Sequence, residues 1–292
     1  MTIAAALEAF FKNRAVYVSP ATIVKYKQDL KLFINFLDGL TVFPDTRNIY
    51  QDYILHLRAQ GIRSVTIRSY CRSVKTFLRW CYEEELCPDY LKRVQLPKDD
   101  SLPKLPLFAD EVSRLDAVLD LNTLLGRRNY CIVHLMLDCG LRAQEVIHLQ
   151  FNHIFPDKNI IQILDSKGNK SRMTLVPDFL LDALALYSSM AGISSGFLLR
   201  NVDGKPLTGN TLKQLFQNLK HSAAIPRIHA HLLRHTFATS YLIGGGNMEF
   251  LRVFLGHSDY AVTQNYSRMA AEYKMLGADI YRLDSIFFER GY

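Results

Sequence analysis

A chain of 292 residues is long enough for two ordinary domains, and 49% hydrophobic with 22% charged residues is the balance of a soluble globular protein. No apolar run approaches the ~18 residues that a membrane helix requires, and the first residues lack the basic lead and long apolar stretch of a secretion signal, so a cytoplasmic protein with no membrane partner is expected. Net charge +7 points to a polyanionic partner, while five cysteines, odd in number and without CxxC spacing, argue against a disulfide framework or a zinc cluster.

Residues 1–93 read as a helical bundle. A short helix is expected over residues 3–12. Ser19 can cap a second helix with Pro20 in its first position and Ile23, Tyr26, Leu30, Phe33 and Leu37 at three-to-four spacing. A third runs over residues 46–60 and stops at Gly61, and Ser64 caps a fourth whose apolar stripe is Ile67, Tyr70, Val74, Phe77 and Leu78. From Arg58 to Arg79 there is no acid. Arg68, Arg72, Lys75 and Arg79 recur at i, i+4, i+7 and i+11 on one helix face, and like charges so placed repel each other. A solvated face normally interleaves acids, so this one reads as a phosphate-tracking or groove-entering helix. Residues 1–100 hold 15 Lys and Arg against 11 Asp and Glu, so +4 of the +7 sits in the first third.

Residues 94–108 contain Pro97, Pro103 and Pro106 and read as an extended linker, because each proline removes a donor and pushes its predecessor out of helical geometry. Beyond it, residues 109–292 mix helix and strand. Helices are expected at 110–121, 127–139, 143–149, 178–190, 209–223, 231–243, 247–255 and 260–271, with two strands at 160–164 and 172–176 around a Gly- and Asn-rich turn. The fold class is mainly α with a small β-sheet.

Four segments in this half could carry chemistry. Arg142 stands just past a helix-ending glycine in Cys139-Gly140-Leu141-Arg142-Ala143-Gln144-Glu145. Lys167 lies at the tip of the hairpin. His231 and Arg234 share a helix face in His231-Leu232-Leu233-Arg234-His235. Leu255-Gly256-His257 precedes Tyr266. Singly each has an ordinary structural explanation: an ion pair, a solvated turn, a helix face, a half-buried core tyrosine.

In this order the segments resemble the tyrosine recombinase (phage integrase) family, in particular its Xer-like and transposon-integrase members, and the resemblance spans the whole chain. It implies a helical-bundle core-DNA-binding domain followed by an α+β catalytic domain. It also implies a site-specific recombinase that cuts and rejoins DNA through a 3′-phosphotyrosine, with no metal, ATP or other cofactor. Arg142 and Arg234 would meet the non-bridging phosphate oxygens with fixed, always-charged forks, and His257 would add a hydrogen bond. Such preorganised donors are each worth ~3–4 kcal/mol in a transition state. Tyr266 would be the nucleophile, His231 the general base, and Lys167 the general acid to the leaving 5′ oxygen, with Lys170 left open by spacing alone. Glu145 would orient Arg142. Arg68, Arg72, Lys75 and Arg79, with Lys25 on the preceding long helix, would bind DNA. Cys139 stands where the family often has threonine, a packing position, and Gly244-Gly245-Gly246 is a loose turn.

The partner implied is a double-stranded recombination site bound by a homo-tetramer on synapsed DNA, with a monomer possible free in solution. Residues 270–292 carry Met275, Leu276, Ile280, Leu283, Ile286 and Phe287 at near-helical spacing, and docking of this tail on a neighbouring protomer is favoured over folding back. Three rivals are a type IB topoisomerase, a non-catalytic DNA-binding regulator, and a metallohydrolase built on His231 and His235. The last lacks the glutamate and third ligand that a zinc site needs.

Overall fold

The computed structural model describes residues 1–45, 48–92, 94–98, 105–164, 171–256 and 260–289. The chain divides into two compact units, Met1–Pro103 and Lys104–Tyr292, and the division falls within the proline-rich stretch.

The first unit is a bundle of α1 (Ile3–Ala15), α2 (Pro20–Phe36), α3 (Ile49–Ala59) and α4 (Ser64–Glu83). At the start of α2 the Ser19 hydroxyl accepts from the Thr22 amide at 3.3 Å with Pro20 behind it, as the sequence suggests. At α4 the cap falls one residue earlier than expected: Arg63 holds the extended cap conformation and Ser64 is already helical. The beginning of the third predicted helix, at Thr46, lies outside the described residues. The core is aromatic, with Phe10 edge-on to Phe77 at 5.2 Å and Phe33 edge-on to Tyr53 at 5.1 Å. A buried carboxylate pins α2 to α4: Asp29 accepts from Lys25 Nζ at 2.8 Å and from the Ser73 hydroxyl at 2.5 Å.

The second unit is built around α6 (Leu124–Leu137), whose Cys131, Ile132, Val133, Leu135, Met136 and Leu137 are all fully buried. Around it stand α5 (Ala109–Ala117), α7 (Ala143–Ile147), α8 (Asp178–Met190), α9 (Gly209–Ser222), α10 (Ala230–Ile243), α11 (Met248–Leu255), α12 (Tyr260–Met275) and α13 (Ile286–Glu289). Strands β2 (Ile160–Ile163) and β3 (Arg172–Leu175) form the expected antiparallel pair, in register Ile161↔Thr174 and Ile163↔Arg172. A two-residue strand, β1 (Ile154–Phe155), joins the edge and was not expected, being too short to show any alternation. No described helix is long and apolar enough to cross a membrane.

Four polar side chains from three segments meet inside this unit. His134 on α6 lies 2.7 Å from Asp138 through Nδ1 and 3.0 Å from Asp116 of α5 through Nε2. The Tyr281 hydroxyl donates to the other Asp138 oxygen at 2.7 Å. The two carboxylates outweigh the cost of burial and push His134 up to about 9, so it is charged at neutral pH.

In the single chain the tail folds back on its own domain. Phe108 and Ile280 form a β-bridge, the Tyr281 amide donates to the Leu107 carbonyl at 3.2 Å, and Phe287 packs edge-on against Phe237 at 5.4 Å. Of the tail's apolar series, Ile280, Leu283 and Phe287 are buried here, whereas Met275 and Leu276 are exposed. This contact also explains the glycine run. A Cβ at Gly244 would run into the Phe288 ring and one at Gly246 into Tyr241, so the turn is tightly packed rather than loose.

Candidate active site

The site begins where α6 ends. Gly140 takes a left-handed φ of +65°, and a Cβ there would lie 2.7 Å from Phe237 Cδ1. This turn delivers Arg142 to the N-cap of α7. One turn on, the Glu145 carboxylate accepts from the Arg142 amide at 2.6 Å and from its guanidinium at 2.9 Å. The neighbouring Cys139 is fully buried, and that burial pushes its thiol far up, which makes it a packing residue.

Arg234, on α10, is 2% exposed. It donates to the Gly140 carbonyl at 2.5 Å and the Leu255 carbonyl at 2.6 Å, and approaches Glu145 at 3.9 Å. Arg172, the first residue of β3, pairs with Glu145 at 2.7 Å and donates to the Phe254 carbonyl. Arg142 reaches the Gly256 carbonyl at 3.2 Å. Three guanidiniums therefore meet three successive carbonyls at the C-terminal end of α11, where the helix dipole is negative and carbonyls lack helical partners.

The electrostatics follow from three cations around one carboxylate. Burial, then repulsion from Arg142 and Arg172, brings Arg234 down to about 9. Burial would raise Glu145, but the charge and hydrogen bond of Arg172 outweigh it and hold the carboxyl below its ordinary value. Tyr266, on α12, is 6% exposed. Burial raises its phenol, while Arg234 and then Arg142 pull it back. Its ring lies 5.3 Å from that of His235.

Arg142, Glu145, Arg234 and Tyr266 are thus gathered in one place. His231 sits in the first turn of α10, exposed, one turn before Arg234. Lys167, Lys170 and His257 lie outside the described residues. Among the described residues no group of three or more His, Cys, Asp or Glu could hold a metal ion. In the first unit Arg72, Lys75 and Arg79 are exposed along α4. Arg68 is half-buried and donates to the Pro97 carbonyl at 2.6 Å, and Lys25 is ion-paired with Asp29, so these two have structural partners already.

Sequence reasoning missed Arg172 and the ring contact of His235. The signal for Arg172 was available: alternation from buried Thr174 and Val176 puts Arg172 on the inward face, where an arginine needs an acid.

The description "Phage integrase family" matches residues 107–272, and "Phage integrase, N-terminal SAM-like domain" matches residues 7–85. The tyrosine recombinase XerC of Anoxybacillus flavithermus is 29% identical over 278 residues, which cover 90% of each chain. The tyrosine recombinase XerD of Listeria innocua is 26% identical over 279 residues, covering 91% of this chain and 92% of that one. Among solved structures, the Tn1549 transposon integrase in complex with a circular intermediate DNA has a TM-score of 0.76 at 18% identity over 94% of this chain and 99% of that one. The XerH site-specific recombinase bound to palindromic difH substrate gives 0.72 at 18% identity over 93% and 82%. These structures show a shared fold.

Proposed function

The chain belongs to the phage integrase family and is a tyrosine recombinase, and from that premise we propose that Tyr266 attacks a backbone phosphate in duplex DNA, held by Arg142 and Arg234. The phenol oxygen bonds to phosphorus, the 5′ oxygen leaves, and a 3′-phosphotyrosine remains. The phosphoester is conserved in the covalent link, so a 5′ hydroxyl can reverse the step without ATP. The observation that carries this reading is the convergence of Arg142 and Arg234 on one helix end, with Tyr266 feeling both charges. Their forks match the oxygens on which negative charge grows, and removing one such donor typically costs ~10²–10³ in rate.

The raised phenol must lose its proton during attack. His231, one turn from Arg234 on α10, is the base in this reading, and Lys167 and His257 are carried over from the family pattern as general acid and phosphate donor. Tyr266 is 6% exposed, so attack on a phosphate requires its phenol to become accessible. Exchange between two duplexes breaks four strands and each chain offers one such tyrosine, which supports a tetramer on synapsed DNA. A DNA substrate also fits the cytoplasmic location expected above. Arg72, Lys75 and Arg79 on α4 supply phosphate contacts from the first unit. Topoisomerase and non-catalytic readings are not favoured, since the relatives are recombinases by name.

The test is covalent trapping. Full-length protein incubated with a randomised duplex pool should form a denaturation-resistant adduct on Tyr266, and sequencing the trapped strand identifies the site. Tyr266→Phe should bind the recovered duplex within about threefold of wild type yet trap nothing. An adduct in that variant would place the nucleophile elsewhere.

A further inference from the structure

We propose that Arg172 is a positioning residue for DNA cleavage: it braces Glu145 so that the carboxylate aims Arg142, and it fastens the end of α11 beside them. The inference rests on the strand-transfer reading above.

All three guanidinium nitrogens of Arg172 donate inward. Nη2 meets Glu145 Oε2 at 2.7 Å, Nε meets Oε1 at 3.4 Å, and Nη1 donates to the Phe254 carbonyl. Its side chain is 9% exposed, against 44% for Arg142. Arg172 therefore cannot meet a DNA phosphate while these bonds stand, whereas Arg142 faces outward. The two act through the same carboxylate. Glu145 Oε2 accepts from the Arg142 amide at 2.6 Å as well as from Arg172, and Oε1 holds the Arg142 guanidinium at 2.9 Å. With Arg172 gone, the Glu145 charge that it offsets bears more strongly on Arg142, which is then drawn toward the carboxylate and away from phosphate. The close approach at Gly256 belongs to the same arrangement, since a Cβ there would lie 2.9 Å from Arg172 Cδ.

Lysine cannot replace this residue. An ammonium is a point charge without a fork, so it cannot bridge Glu145 and the Phe254 carbonyl at once. Among the described residues, the charged groups facing Glu145 are Arg142 at the N-cap of α7, Arg172 from β3 and Arg234 from α10 at 3.9 Å. Arg172 is the main influence holding Glu145 in its ionised form, against the burial that opposes it.

The experiment uses full-length protein and the duplex recovered by trapping, nicked so that cleavage is a single turnover. Arg172→Gln should slow cleavage about 30-fold and Arg172→Lys about tenfold, with DNA affinity within about threefold of wild type. In a Glu145→Gln background, Arg172→Gln should cost less than about threefold, because residues acting through one partner are not additive. The acid limb of the pH–rate profile should move to higher pH in Arg172→Gln, a shift that loss of packing alone does not produce. Full multiplicative losses in the double variant, an unmoved acid limb, or wild-type rates in a folded single variant would each overturn the assignment. If Arg172→Gln fails to fold, the rate of the charge-retaining Arg172→Lys decides the matter alone: a loss of about tenfold supports the assignment and a wild-type rate overturns it. Absence of any adduct on Tyr266 in wild-type protein would sink the function itself. An adduct indifferent to Arg172 sinks only this inference.

Discussion

His134 should make the catalytic unit lose stability with rising pH in a range where few side chains titrate. It is nearly fully buried between two carboxylates and is pushed from 6.5 up to about 9. That gap corresponds to about 3 kcal/mol of folded-state preference for the imidazolium. Because the folded value lies above the unfolded one, the contribution is complete below about pH 6.5, declines from there, and is gone above about pH 9. For a unit of this size about 3 kcal/mol corresponds to roughly 6–12 °C in melting temperature. His134→Gln removes the titrating group while keeping a polar side chain. Calorimetric melts of both proteins from pH 6 to 9.5 should show a gap that is widest at pH 6 and closes by about pH 9. Wild-type and variant curves running parallel through that window would refute the argument, since an uncharged His134 would have no reason to follow pH.

Three further outcomes can be checked directly. Gly140→Ala combines a left-handed φ with a Cβ 2.7 Å from Phe237, and should destabilise the second unit by about 2–3 kcal/mol in urea unfolding; an unchanged midpoint would contradict the close approach. Asp29→Ala should cost the first unit about 1–3 kcal/mol, since it strands the buried Ser73 hydroxyl, whereas the exposed Lys25 ammonium returns to water. Trp80, the one tryptophan in the chain and buried in that unit, reports its unfolding, and a native midpoint would show the pin to be idle. Reversing Arg72 and Arg79 to glutamate should weaken DNA binding and lower the slope of log K against log salt by about 2, one for each lost phosphate contact; an unaltered slope removes α4 from the interface.

Local chemistry was legible in the sequence where a single stretch carries the whole signal. Ser19 followed by Pro20 announces α2, and the two strands around the Gly-Asn turn appear as a hairpin, because caps and alternation depend on neighbours. Arg142, Arg234 and Tyr266 stood out only through their combination, each alone being ordinary, and the fold brings the three together. What stayed hidden depends on residues far apart in the chain. Ser73 meeting Asp29 and Tyr281 meeting Asp138 leave no periodic trace. Arg172 was masked differently, for it stands at the first position of an expected strand, and only the inward face of Thr174 betrays it. Lys25 and Arg68, read from the sequence as DNA contacts, also have partners within the bundle, Asp29 and the Pro97 carbonyl, that spacing along a helix could not reveal. The tail was expected to favour a neighbouring protomer, and in the single chain its aromatic residues find Phe237 and Tyr241 at home.

Among the described residues, Arg142, Arg172 and Arg234 bring three positive charges around the single carboxylate of Glu145. Mutual repulsion there works against folding, so the resting domain tolerates a strain that a tetrahedral oxyanion would relieve. Occupancy and fold are thereby coupled: any dianion of phosphate shape that settles between the forks should raise the melting point by mass action, in proportion to the logarithm of its concentration over its dissociation constant. Sulfate, which cannot undergo strand exchange, would then act as a thermometer for how well the cradle is formed.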